Sequence, residues 1–292
     1  MIFNGSSIPS YSKRVGNDGL VIPEVGAWSQ IKYNLISHYA HMFATSMKNK
    51  WNNRIYIDLF SGAGYSRIKN TDEIIESSPI ITMRVPDKFD KYIFADIIPE
   101  NIQALRARIS REFNGYDHSC LECDVNSSVT DILALVPTPS KGNTVLTFCL
   151  VDPFKISNLK MSTLEEISKA IYVDFLVLIP SRMDAGRNLG PYLNHENKTM
   201  DEFLGMPNWR EDWELTEKLG KPFWSFVVEK FCEKFESFGF LPTKASEIVP
   251  VNETGTQRIL YHLTFFSKNE LGKKFWCDSI TGCDPQIKIF DQ

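Results

Sequence analysis

The chain has 292 residues with 43% hydrophobic content, enough to bury one substantial core, either as one domain or as a domain with an elaborated cap. Its formal net charge of −4 excludes a protein that coats nucleic acid through charge alone, while leaving room for a local basic groove. There is no run of about 18 apolar residues to span a membrane and no charged-then-apolar secretory signal, so the expectation is a cytoplasmic protein. Its six cysteines (Cys120, Cys123, Cys149, Cys232, Cys277 and Cys283) are then expected to be mostly reduced.

Residues 1–26 are rich in Gly, Ser, Asn and Pro and lack apolar periodicity; they read as an extended or loosely ordered arm ahead of a domain over 27–292. Ser29 stands as the N-cap of a helix to about Lys48, in which Ile31, Leu35, Ile36, Tyr39, Met42 and Phe43 recur at helical spacing. Short apolar runs follow: RIYIDLF (54–60), KYIFAD (91–96), SCLECD (119–124), TVLTFCLVD (144–152) and VDFLVLIP (173–180). Helical segments such as 99–113 and 162–170 separate them. This alternation predicts buried strands joined by crossover helices, an α/β, Rossmann-like fold with a mostly parallel sheet. From 183 to 245 the chain turns Trp-rich and charged, a helical insertion after the fifth strand whose part over 223–238 is amphipathic. SEIVPV and RILYHLTFFSK then read as two closing strands.

The first run ends in the turn DLFSGAG. Glycines directly after a buried strand permit positive φ and close backbone approach to a ligand, and a following helix would present its N–H groups to polar or negative atoms. The dinucleotide fingerprint is absent, because no third glycine stands three residues after Gly64. The first four runs end in Asp58, Asp96, Asp124 and Asp152. Each alone is equally well explained as a cap or a solvated strand end. Together they place four carboxylates along the crevice where open α/β sheets bind ligands.

This order resembles the class I S-adenosylmethionine-dependent methyltransferases. The resemblance implies a methionine-binding loop of Asp58, Phe60, Ser61, Gly62 and Gly64, a ribose carboxylate at Asp96 beside Ile97, and an adenine contact at Asp124 beside Val125. It tightens to one group. GAWSQIKYNLISHYAHMF, YIDLFSGAGYSR, FADIIPENIQALRARI, LVDPFK, MDEFLGMPNW and LYHLTFFSKNELGKKFW look like successive blocks of the three-Cys-motif partner (TcmP) family, over residues 26–276. That resemblance implies a methyltransferase-like fold with an antiparallel C-terminal hairpin, S-adenosylmethionine as cofactor and a three-cysteine-motif protein as partner.

The fourth strand ends in Asp152, Pro153, Phe154 and Lys155. It has one proline where amino-methyltransferases commonly have two, and is more similar to the Asp-Pro-aromatic-Gly end of tRNA guanine-N2 dimethyltransferases, with Lys155 in place of the glycine. The resemblance implies an exocyclic amine of a nucleic acid base as acceptor, RNA before DNA. Asp152 and the Pro153 carbonyl would accept the amine's N–H bonds and turn its lone pair to the methyl group, while Phe154 stacks on the base. Arg67, Lys69, Arg182, Arg187, Lys268, Lys273 and Lys274 are basic residues in expected loops or strand ends; Arg67 and Arg182, with Lys155, lead as substrate contacts.

Two other classes stay open: a non-catalytic scaffold for the three-cysteine protein, and a methyltransferase acting on a protein or small molecule. No metal site is expected, because Cys277 and Cys283 are too widely spaced to complete a ligand set with His118, Cys120 and Cys123. His38 and His41 read as helix-surface residues, and the tryptophans at 209, 213 and 224 as the apolar face of the insertion.

Overall fold

The structure is a computed structural model and describes residues 15–283. Its strands are β1 (Glu24–Val25), β2 (Asn53–Asp58), β3 (Tyr65–Ile68), β4 (Ile74–Glu76), β5 (Lys91–Asp96), β6 (His118–Glu122), β7 (Val145–Val151), β8 (Val173–Ile179), β9 (Ile248–Asn252) and β10 (Ile259–Phe266). The helices are α1 (Ser29–Met47), α2 (Ser78–Met83), α3 (Pro99–Glu112), α4 (Val129–Ala134), α5 (Met161–Ala170), α6 (Leu189–Leu193), α7 (Thr199–Leu204), α8 (Trp209–Lys218), α9 (Phe223–Ser237) and α10 (Glu270–Cys283).

Every residue of β7 and β8 is buried, because helices cover both faces of the main sheet. Within each strand the two-residue period sends neighbours to opposite cores. Ile55 and Ile57 join Phe175 and Val177 in one core, packed against α4, α5 and the insertion helices α6 to α9. Tyr56, Phe148, Leu176 and Leu178 fall in the other core, against α1, α2, α3 and α10.

The main sheet runs β6-β5-β2-β7-β8-β10-β9. Its first five strands are parallel, and β10 is antiparallel to both β8 and β9. This is the expected Rossmann-like α/β architecture, with a closing antiparallel hairpin after the helical insertion. The connection order reverses between β2 and β7, and the reversal opens a crevice at the carboxyl ends of those two strands.

Three local expectations change. Ser29 is the first residue of α1 rather than its cap, and Trp28 at the cap position makes no side-chain capping bond. The glycine turn leads into the hairpin β3–β4 rather than directly into a helix, and α2 begins only at Ser78. The described end of the expected arm, residues 15–26, carries β1, which pairs in parallel with β3 to complete a separate three-stranded sheet. Residues 1–14 lie outside the described residues.

That small sheet is pinned by one buried arginine. Arg108 of α3, 1% exposed, donates to both carboxylate oxygens of Asp18 at 2.8 and 3.1 Å, to the Val21 carbonyl at 3.0 Å and to the Ala63 carbonyl at 2.6 Å. It ties the N-terminal segment to the glycine turn.

In the insertion, Trp209 and Trp213 are buried against Phe223 and Phe226. Trp224 departs from that apolar face and stacks on His262 with ring centroids 5.0 Å apart. His38 and His41 lie on the exposed side of α1. Among the described residues, no helix is long and apolar enough to cross a membrane.

Candidate cofactor and acceptor site

A strand that ends in a buried carboxylate must give that carboxylate donors, and the glycine turn and the start of α3 supply them. The Gly62 N–H donates to Asp96 Oδ2 at 2.8 Å and the Ile98 N–H to Oδ1 at 2.8 Å, with Asn101 Nδ2 3.3 Å from Oδ2. Burial pushes the Asp96 carboxyl up, against the lowering by these donors. Gly62 has φ of +65° and Gly64 of +89°, a region that side chains with a Cβ rarely enter. At Gly64 an added Cβ would also stand 3.0 Å from Leu105 Cδ1.

Around this turn lies a cavity of 660 Å³. Ser61, Gly62, Asp96, Ile97 and Asn101 line it near β2 and β5; Lys32, Tyr33, Asp152, Phe154 and Tyr261 line it near β7 and β10. Glu24, Val25, Gly26 and Trp28 wall it from the N-terminal side. Ser61 Oγ, Ser77 Oγ and Tyr261 Oη are buried, belong to residues that line this cavity and have no hydrogen-bond partner among the described residues. Buried polar atoms are normally satisfied, so unpartnered hydroxyls around a cavity fit a polar ligand.

The expected site residues separate into two groups. Phe60, Ser61, Gly62, Asp96, Ile97, Asp152, Pro153, Phe154 and Lys155 all line the cavity. Ile97 and Phe154, 55% and 56% exposed, are apolar side chains left bare at its edge. Asp58, Gly64, Asp124, Val125, Arg67 and Arg182 do not line it.

The reasons are local. Asp58 is fully buried under the turn, where Tyr56 Oη and the Phe60 N–H each donate to it at 3.2 Å. Burial pushes its carboxyl up to about 7, opposed by donors that include Ser78 and reinforced by the charge of Asp152. Asp124 is exposed and closes its own turn, accepting from the Asn126 N–H at 2.9 Å and its Nδ2 at 3.0 Å. Val125 packs in the core. Arg67 lies within β3, paired with Asp72 at 3.2 Å, and Arg182 lies 4.8 Å over the Trp224 ring. Lys273, expected on a basic surface, is buried and paired with Glu247 at 2.7 Å.

The acceptor side holds residues that the sequence reading passed over. Lys32 of α1 forms an ion pair with Asp152 Oδ2, with side chains 8% and 18% exposed. Burial, the largest influence, would by itself lower the Lys32 ammonium, but the Asp152 carboxylate together with the Tyr33 and Tyr261 phenols holds the lysine above its ordinary range. Burial likewise raises the phenols of Tyr33 and Tyr261. One signal was legible: Lys32 precedes Leu35, Ile36 and Tyr39 by three, four and seven residues, a lysine on the buried stripe of an amphipathic helix. Such a lysine needs a carboxylate partner.

No family model matches the chain, and neither does any curated protein. Among solved structures, it is similar to protein LPL1258 from Legionella pneumophila, family DUF519, at 13% identity over 85% of this chain and 90% of that one, with a TM-score of 0.44. It is also similar to cofactor-bound Rv0187 from MTB, at 10% identity over 84% and 82% of the two chains, TM-score 0.44. A third is an S-adenosylmethionine-dependent O-methyltransferase from Thermotoga maritima, at 12% identity over 78% of this chain and 64% of that one, TM-score 0.35. Likenesses this distant carry no functional weight, and the fold is read from the strand order.

Proposed function

We propose that the protein is an S-adenosylmethionine-dependent methyltransferase of the three-Cys-motif partner type, acting on an exocyclic amino group of a nucleic acid base, RNA before DNA. One observation carries this reading: Gly62, Asp96 and Asp152, from the ends of three adjacent strands, meet on one cavity at the reversal of strand order. The residues present fit the cofactor. Asp96 offers its carboxylate to ribose hydroxyls, Ile97 offers an apolar face to adenine, and Ser61 and Ser77 hold unpartnered hydroxyls for polar atoms of the methionine part. When bound, S-adenosylmethionine supplies an electrophilic methyl group on a sulfonium.

The chain's own residues would then work on the acceptor. Lys32 occupies Oδ2 of Asp152, which leaves Oδ1 and the Pro153 carbonyl to accept the amine's N–H bonds. A carboxylate held there stabilises positive charge developing on the nitrogen, and a fixed geometry aims the lone pair. Phe154, exposed beside it, offers a stacking face to the base.

A small-molecule acceptor is the second reading. It is favoured by where the cations are: Arg67 and Arg182 are engaged away from the cavity, and the lysines lining it are Lys32, Lys69 and Lys155, the first already paired. Transfer of labelled methyl from S-adenosylmethionine to separated RNA, DNA, protein and small-molecule fractions tests both. Label in RNA, lost with Asp152→Asn, is the expected result; label confined to the small-molecule fraction favours the second reading. No label in any fraction counts against methyl transfer by this chain.

A further inference from the structure

A second pocket, of 210 Å³, opens at the other end of the sheet. Leu146 and Asp174 stand near the amino ends of β7 and β8, whereas Asp152 follows the carboxyl end of β7. The pocket is a cleft between α1 and α10, walled by Tyr39, Phe43 and Phe275, with Trp51 and Tyr172 stacked on each other at 5.6 Å. Its one acidic side chain is Asp174, 5% exposed. Tyr39 Oη donates to Asp174 Oδ2 at 3.2 Å, while Oδ1 is buried without a partner among the described residues.

An apolar strand interior is an expensive place for a carboxylate, and one left half-satisfied is more expensive still. Burial pushes the Asp174 carboxyl up to about 6, while bonds from Ser267 and Tyr39 and the charge of Lys273 act against it. The carboxyl is left short of one donor at Oδ1. The aromatic walls add a second preference, since ring faces attract cations and repel anions. In size, the space exceeds the engineered cavity of about 150 Å³ that accepts benzene.

We propose that this pocket binds a small organic monocation, a primary ammonium on a compact aromatic or apolar body, with Asp174 Oδ1 as its counter-ion and the aromatic walls around it. Lys50 lines the mouth and opposes a cation, but it is exposed to solvent, where its field is screened far more than that of the buried carboxylate. The proposal is independent of the methyltransferase reading, because the pocket shares no lining residue with the cavity at the carboxyl ends.

Calorimetric titration of the full chain with benzylammonium chloride, and with benzyl alcohol as its neutral counterpart, tests it. One-to-one binding of benzylammonium is expected, at least about tenfold tighter than benzyl alcohol and weakened about tenfold by Asp174→Asn, as loss of a buried charge contact requires. Trp51→Ala, half-buried against Tyr172, is expected to weaken binding in a chain that still folds, and it carries the test if Asp174→Asn fails to fold. No binding by the wild-type protein would overturn the proposal, with water alone satisfying Oδ1. So would equal affinity for the two probes, or affinity that neither variant changes.

Discussion

Asp152 and Lys32 show how one residue's role depends on a partner far away in sequence. Reading Asp152 as an acceptor of amine N–H bonds needed only the strand end before it, but the lysine that occupies one of its oxygens is 120 positions earlier. No local pattern links the two. In Asp152→Asn, methyl transfer should fall by about 10²–10³, the cost of losing one preorganised charge contact, while S-adenosylhomocysteine binding is kept. Single-turnover transfer and calorimetry measure the two separately. The variant should also lose roughly 2–3 kcal/mol of stability by urea unfolding, less than a fully buried pair would, because Asp152 keeps some solvent contact.

Asp58 gives a pH signature. Its carboxyl is raised from 3.8 to about 7 by burial, so between those values the folded chain holds a proton that the unfolded chain has released. Stability from this group therefore falls as pH rises from about 4 to 7 and is level above that, with a total on the order of 4 kcal/mol. Asp58→Asn should remove that slope. Urea unfolding of both proteins at pH 4 to 8 should show the variant gaining on the wild type through this window, and a constant difference would contradict the burial account.

At the scale of elements, the five parallel strands and α1, α3, α5 and α9 could be read directly, because short apolar runs and helical periods are local signals. The hairpin β3–β4 was not legible. YSRI and IIE are too short to show a period, and they stand where the glycine turn argued for a helix. Nor was β1 visible, since its two residues are a strand only by pairing with β3. Arg108 holds this small sheet to the turn through four contacts, so Arg108→Met should leave the Asp18 carboxylate and two carbonyls without it. Hydrogen exchange should then speed up at the Arg67 and Lys69 amides, which donate to Pro23 and Val25 at 2.9 and 2.8 Å. Unchanged exchange at both would show that the segment is held in some other way. Gly64→Ala should cost more than Gly62→Ala, since both enforce positive φ but only Gly64 also faces Leu105 and Ile80 within 3.3 Å. Comparative thermal melts of the two variants measure that order.

Across the whole molecule, alternation of runs and helices predicted the sheet class, and the observed order β6-β5-β2-β7-β8-β10-β9 supplies what alternation alone does not, the place where neighbouring connections diverge. That divergence explains why Asp96 and Asp152 share a cavity while Asp124, at the end of the edge strand β6, turns to its own loop. Four acidic strand ends looked equivalent in sequence because sequence carries no lateral distance. The strands nearest the switch point keep their carboxylates in the crevice, except for Asp58, which lies beneath the turn it supports.

In the proposed cofactor site, Asp96 organises the glycine turn. That role is tested most directly by calorimetric titration of the purified protein with S-adenosylmethionine and S-adenosylhomocysteine, repeated with an Asp96→Ala variant shown by circular dichroism to be folded. One-to-one binding of both ligands by the wild-type protein, and its loss in the variant, is the expected result. A folded wild-type protein that binds neither, or a variant that binds as tightly as the wild type, would contradict it.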